Sequence, residues 1–249
     1  MTLSGKITWV TGAGTGIGSA GALKLAAAGA HVILSGRRVE PLEDISQKIA
    51  SAGGSAEILP LDVTDADAVK KAADKIEAAH GKLDILVNSA GLNIPDRSWE
   101  RVTPDGFDSV ISANLNGSFY CCQAVLPLMR KQADGLIINV SSVAGVRPSI
   151  LTGPAYTAAK HGVVAFSESL NMEEGDHGIR ATALCPGEVN TPILDKRPVP
   201  PSPEDREKML QEEDLGETIL FLANLPKRVS VGTLVISPSH NRGYVKMKT

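Results

Sequence analysis

A chain of 249 residues, 43% hydrophobic, 21% charged and only 4% aromatic, has the length for one large α/β domain with a core of small aliphatic side chains. Its net charge of -3 gives no general attraction to nucleic acid or an acidic membrane, and neither a charged-then-apolar leader nor a bilayer-length apolar run is read, so a cytoplasmic protein is expected. Cys121, Cys122 and Cys185 are odd in number and lack metal-ligand spacing, which predicts buried thiols in a reducing compartment and no metal.

Apolar, β-rich runs at 7–10, 31–34, 56–61, 83–87, 136–140, 179–184 and 233–236 end in turn residues. Nearly continuous apolar runs are what strands buried on both faces require. Helix-like segments separate them, which predicts an α/β fold: a doubly wound parallel sheet with helices on both faces. Thr64 ahead of Asp65-Ala66-Asp67 reads as an N-cap with an acid in the first turn, and His80-Gly81 as a stop. Thr103-Pro104 reads as another N-cap, with proline at the first helical position. Pro192, Pro198, Pro200, Pro201 and Pro203 bar regular structure over residues 191–203 and predict a mobile loop, part of a lid at about 188–212.

The first strand runs into Thr11-Gly12-Ala13-Gly14-Thr15-Gly16-Ile17-Gly18, followed by an alanine-rich helix. Glycines at such a turn let the backbone approach a pyrophosphate, whose charge meets the helix N-terminus. The second strand ends Leu34-Ser35-Gly36-Arg37-Arg38. An acid here would hydrogen-bond the ribose hydroxyls of NAD and repel a 2'-phosphate. Gly36 stands about where that acid would be, and a guanidinium suits a phosphate dianion. NADP(H) is therefore favoured over NAD(H), with Arg37 ahead of Arg38 as the phosphate reader.

Farther on, Ala155-Tyr156-Thr157-Ala158-Ala159-Lys160 places a phenol and an amine one helical turn apart. An ammonium roughly 4 Å away, at an effective dielectric near 20, would favour the phenolate by up to about 4 kcal/mol. That is on the order of three pKa units, enough to bring a phenol into working range.

Taken in order, these motifs make the chain similar to the short-chain dehydrogenase/reductase family over residues 3–238. Thr11 to Gly18 matches the family's TGxxxGxG pattern, and Asp62-Val63 its acid-Val pair at the adenine amine. Asn88-Ser89-Ala90-Gly91 resembles the NNAG signature, with Ser89 in place of the second Asn. Asn114, Ser142, Tyr156 and Lys160 match its catalytic tetrad. Pro186-Gly187, with Val189 and Thr191, resembles the segment at the nicotinamide carboxamide. Ser142 and Tyr156 are fourteen apart, one more than the commonest spacing, so a bulged loop is expected, with Ser141 the lesser alternative to Ser142. Ser237-Pro238-Ser239-His240 replaces the usual aspartate and paired glycines, and the ending loosely resembles relatives acting on small hydroxy acids and related alcohols.

The resemblance implies a single NAD(P)-binding Rossmann domain over 1–249 and hydride transfer between a nicotinamide and a carbonyl or carbinol carbon. Tyr156 would donate or accept the proton, Ser142 would orient the oxygen, and Lys160 would lower the phenol's pKa and hold the ribose. Asn114 would anchor a water linking Lys160 to solvent. His161 points away from the Tyr156 face on helical geometry, and Arg147 is a minor candidate for a substrate carboxylate. Residues 93–96, 149–152 and 188–195 are expected to line the pocket. A catalytically silent NADP-binding regulator is the alternative; a nucleotide-sugar epimerase would need a longer chain. Apolar faces on helices 103–131 and 153–173 predict a homodimer or homotetramer. The tail 241–249 is left between lying across a neighbour and disorder.

Overall fold

The computed structural model describes residues 2–240. Seven parallel strands form one sheet: β1 (Ile7–Thr11), β2 (His31–Ser35), β3 (Ser55–Ile58), β4 (Ile85–Asn88), β5 (Gly135–Val140), β6 (Ile179–Pro186) and β7 (Thr233–Ile236). Their order, β3-β2-β1-β4-β5-β6-β7, reverses direction between β1 and β4. In open α/β sheets ligands bind in the crevice beyond the carboxyl ends of the strands at such a reversal.

The helices are α1 (Gly16–Ala27), α2 (Val39–Ser51), α3 (Ala66–His80), α4 (Pro104–Ile111), α5 (Gly117–Gln132), α6 (Gly153–Glu174), α7 (Pro203–Glu207) and α8 (Glu212–Ala223). Successive strand residues face opposite sides. Val10, Leu34 and Ile138 therefore join Leu25 of α1, Leu42 of α2 and Ile219 of α8 in one core. Trp9, Ile33, Leu86 and Ile137 join Ile76 of α3 and Met129 of α5 in the other. Edge strands β3 and β7 alternate between exposed and half-buried residues, so the continuous burial expected of every strand holds only for the inner five. The third run is regular strand only to Ile58, although the Leu59 and Leu61 amides still donate to the Leu34 and Gly36 carbonyls of the neighbouring chain segment at 2.9 and 3.0 Å, on either side of Pro60.

Three local expectations change. Asp65, not Thr64, caps α3: its carboxylate accepts from the Ala68 amide at 2.9 Å, while the Thr64 hydroxyl bonds Asp62 at 2.8 Å. Gly81, in the left-handed region at φ 68°, ends that helix as read, and Thr103 caps α4 by accepting from the Gly106 amide at 3.1 Å. The helix expected over 103–131 is α4 and α5 joined by a π turn, Ser112–Asn116, which carries Asn114. The proline-rich segment is not irregular throughout. Pro192 opens a 3-10 turn to Lys196 and Pro203 opens α7, positions where a missing N–H is harmless. Val189 and Leu210 form an isolated bridge between the two ends of the segment. No helix among the described residues is long and apolar enough to cross a membrane, and the tail 241–249 lies outside the described residues.

Candidate active site

The turn between β1 and α1 packs so closely that side chains are excluded. Gly12 adopts φ 65°, and a Cβ there would lie 2.7 Å from the Ala90 nitrogen; one on Gly14 would lie 2.9 Å from Pro41, and one on Gly18 would overlap the Gly12 carbonyl. Gly16, also at φ 65°, faces Thr191 across the crevice. The first turn of α1 holds no acid, so its amides and dipole are open to an anion. This cradle fits a dinucleotide pyrophosphate.

A cleft of about 630 Å³ runs from the turn to the far wall. Gly12, Thr15, Gly16 and Ile17 line one end, Ala90 and Gly91 its floor, and Pro186, Gly187, Val189 and Thr191 the opposite side. Ser89 lines it too. Ser237-Pro238, in place of the family's usual residues, packs within 3.1 Å of where a Gly187 Cβ would stand. Arg37 and Arg38 are exposed at the end of β2, outside this lining and without a carboxylate partner among the described residues. Asp62 is exposed and Val63 buried against Gly117, also outside it.

Asn88 is corrected. It shares the strand face of Leu86, and its amide donates to Asn139 at 2.9 Å, with longer contacts to Ser118 and Cys122. It braces β4, β5 and α5 and does not line the cleft.

Tyr156 and Lys160 do lie one turn apart on α6, both in the cleft with Ser142 and Asn114. Ser142, at the mouth of a 3-10 turn (Val143–Gly145), accepts from the Ala144 amide at 3.1 Å, and its hydroxyl lies near enough to that of Tyr156 to favour the phenolate. Ser141 instead donates to the Lys160 carbonyl at 2.8 Å, so the hydroxyl beside the phenol is that of Ser142. The interval before Tyr156 contains this turn and Gly153 at φ 75°, whose missing Cβ makes room for the Arg97 carbonyl.

The electrostatics differ from the sequence expectation. The Lys160 ammonium stands over the Tyr156 ring, 5.5 Å from its centre, and donates to the Val140 carbonyl at 2.8 Å. Burial pulls its own pKa down to about 8. Burial pushes Tyr156 up to about 12, and the groups that oppose this are Ser142, Arg97 and Arg197, not Lys160. Asn114 is also redirected: its amide nitrogen donates to the Leu92 and Val110 carbonyls at 2.7 and 2.8 Å, and its oxygen accepts from the Leu92 amide. It fixes the wall around Gly91.

Arg97 and Arg197 were outside the sequence-based site. They stand one and two residues past the segments expected to line the pocket, and a basic residue at those edges was the available signal. Arg147 lines the cleft but is exposed, and His161 turns to the Thr157 carbonyl at 2.9 Å. The three thiols are buried and unpaired, and burial raises the pKa of each.

This arrangement has counterparts. An uncharacterised oxidoreductase of Staphylococcus aureus is 34% identical over 236 residues, 95% of this chain and 98% of that protein. A metagenomic short-chain oxidoreductase solved in complex with NADP superposes with a TM-score of 0.83 at 32% identity, covering 96% of this chain and 99% of that one. A 3-ketoacyl-(acyl-carrier-protein) reductase from Brucella melitensis, complexed with NADH, gives a TM-score of 0.86 at 28% identity, over 95% and 98% of the two chains. The short chain dehydrogenase family matches residues 6–199, and with the Rossmann sheet and glycine turn in place, the chain belongs to that family.

Proposed function

We propose that this oxidoreductase is an NADP(H)-dependent enzyme that interconverts a carbonyl and a secondary alcohol on a small substrate, with Tyr156 as acid and base. The observation that carries this reading is the grouping of Tyr156, Ser142 and the buried Lys160 in the same cleft as the glycine turn. Bound nicotinamide supplies the hydride for reduction and accepts it for oxidation. Gly12 to Gly18 would hold the pyrophosphate, Arg37 the 2'-phosphate, and Lys160 the ribose.

The remaining steps belong to the chain's own groups. Negative charge grows on the substrate oxygen during reduction, and donors aimed at it lower the barrier. Ser142 donates one hydrogen bond there and Tyr156 delivers the proton. Tyr156 is held protonated at neutral pH by burial, and Ser142, Arg97 and Arg197 ease its loss of the proton. Pro186 to Thr191 would position the carboxamide end, and Asn114 holds the wall behind Gly91.

The buried thiols agree with a reducing, cytoplasmic setting, and residues 1–249 are read as one domain. Phe119 on α5 and Met172 on α6 are exposed at 46% and 80%, which supports pairing of these helices in a homodimer or homotetramer. The test of the chemistry is Tyr156→Phe. Over a panel of small ketones and aldehydes, NADPH consumption should fall by several orders of magnitude with NADP affinity nearly intact. Activity surviving that change would remove Tyr156 from its role.

A further inference from the structure

Arg97 is a buried guanidinium, 8% exposed, on the cleft wall. Its Nε donates to the Ile94 carbonyl at 2.7 Å and its Nη2 to the Lys196 carbonyl at 2.6 Å. Both acceptors are neutral carbonyls, so neither of these bonds balances its charge. Burying a guanidinium is costly unless an anion balances it. The bond to Lys196 also draws in Arg197, the next residue, whose side chain is 17% exposed and lines the same cleft. Arg197 pairs with Glu188 at 2.8 Å. Two guanidiniums thus line this wall beside one acidic residue, Glu188, and both act on the Tyr156 hydroxyl.

We propose that Arg97 and Arg197 form a carboxylate subsite, so that the substrate is a small keto acid or hydroxy acid rather than a neutral carbonyl compound. The proposal rests on the hydride-transfer reading above. A planar guanidinium fork matches a carboxylate, and the anion would offset the excess of positive charge that Arg97 and Arg197 give this wall. The carboxylate is a spectator: C=O becomes CH–OH by gain of a hydride from NADPH and a proton from Tyr156, and the acid group is unchanged. Arg197, on the segment over the cleft, gives the same anion a second contact, so binding it would also hold that segment against Arg97.

The test compares kcat/KM with NADPH for pyruvate, acetoacetate and levulinate, each against its methyl ester, which removes the charge and keeps the ketone. At least one acid should exceed its ester by about tenfold or more. Arg97→Met should erase that preference through the KM of the acid, and Arg97→Lys should restore part of it. Should Arg97→Met fail to fold, two other variants carry the test in opposite directions: Arg197→Gln should weaken the acid, and Glu188→Gln, which releases Arg197, should strengthen it. Titration calorimetry of the acids into protein saturated with NADP⁺, where ketone reduction cannot proceed, reads the subsite without catalysis. Acid binding with no NADPH consumption on any carbonyl would uphold the subsite and overturn the oxidoreductase reading. Acids that neither bind nor react, esters that match their acids, or variants that weaken acid and ester equally would overturn the subsite.

Discussion

Replacing Lys160 by methionine should stabilise the protein at neutral pH while abolishing its chemistry. The lysine is 4% exposed, and burial brings its pKa from 10.5 to about 8. At about 1.4 kcal/mol per unit, the folded state is disfavoured by about 3 kcal/mol whenever this amine carries its charge. The variant escapes that penalty but leaves the Val140 carbonyl without its 2.8 Å donor, a loss of about 1–2 kcal/mol. The net gain at pH 7 is thus about 1–2 kcal/mol. The sign with pH follows from proton counts. Between 8 and 10.5 the unfolded chain keeps a proton that the native lysine has released, so the Lys160 contribution to stability rises through that window. Cys121, Cys122 and Tyr156, all raised by burial, act the other way as the pH climbs past their unfolded values, but they are common to both proteins. Cys185 interacts with Lys160, so both proteins carry Cys185→Ala. Urea unfolding of that background with and without Lys160→Met at about pH 7 and about pH 9.5 therefore isolates one group, and the advantage of the variant should shrink by about 2 kcal/mol. An advantage that stays constant would mean the ammonium is fully compensated where it sits, and the burial argument would fail.

Arg37→Ala should weaken NADP by about 1.5–3 kcal/mol, read by calorimetry, with little effect on NAD; equal losses would take Arg37 away from the phosphate. Gly18→Ala drives a methyl into the Gly12 carbonyl, so it should lower stability by about 1–3 kcal/mol and cut dinucleotide affinity. A native melting temperature with normal NADP binding would show that the turn relaxes freely. Light scattering should find a dimer or tetramer, and Phe119→Glu should shift it toward monomer. A monomer in the unaltered protein would exclude the α5–α6 pairing.

Much of the scaffold could be read beforehand because its signals are local. The apolar run ending at the glycine turn, the left-handed stop at Gly81 and the Thr103-Pro104 start each depend on residues within one turn of one another. Tyr156 and Lys160 share a face for the same reason. What escaped was set by distant packing. Asn88 reads as a loop signature, yet strand alternation puts it on the Leu86 face, against Asn139 and Cys122. The separation expected between Lys160 and the phenol is that of an ideal contact, whereas the ammonium, donating to the Val140 carbonyl, stands over the ring at 5.5 Å from its centre. Arg97 and Arg197 meet only because a side chain reaches a carbonyl 99 positions later in the chain, which no spacing rule anticipates.

The π turn at Ser112–Asn116 has a mechanical implication. It inserts one residue into an otherwise continuous rod, and each residue of an α-helix advances the azimuth by about 100°. Excising a single residue there would straighten the rod but swing Asn114 off Leu92 or carry Phe119, Cys121 and Cys122 round to new directions. The buried scaffold and the outward apolar side chain of α5 are thereby phased to one another through a single defect, and neither can be re-aimed alone.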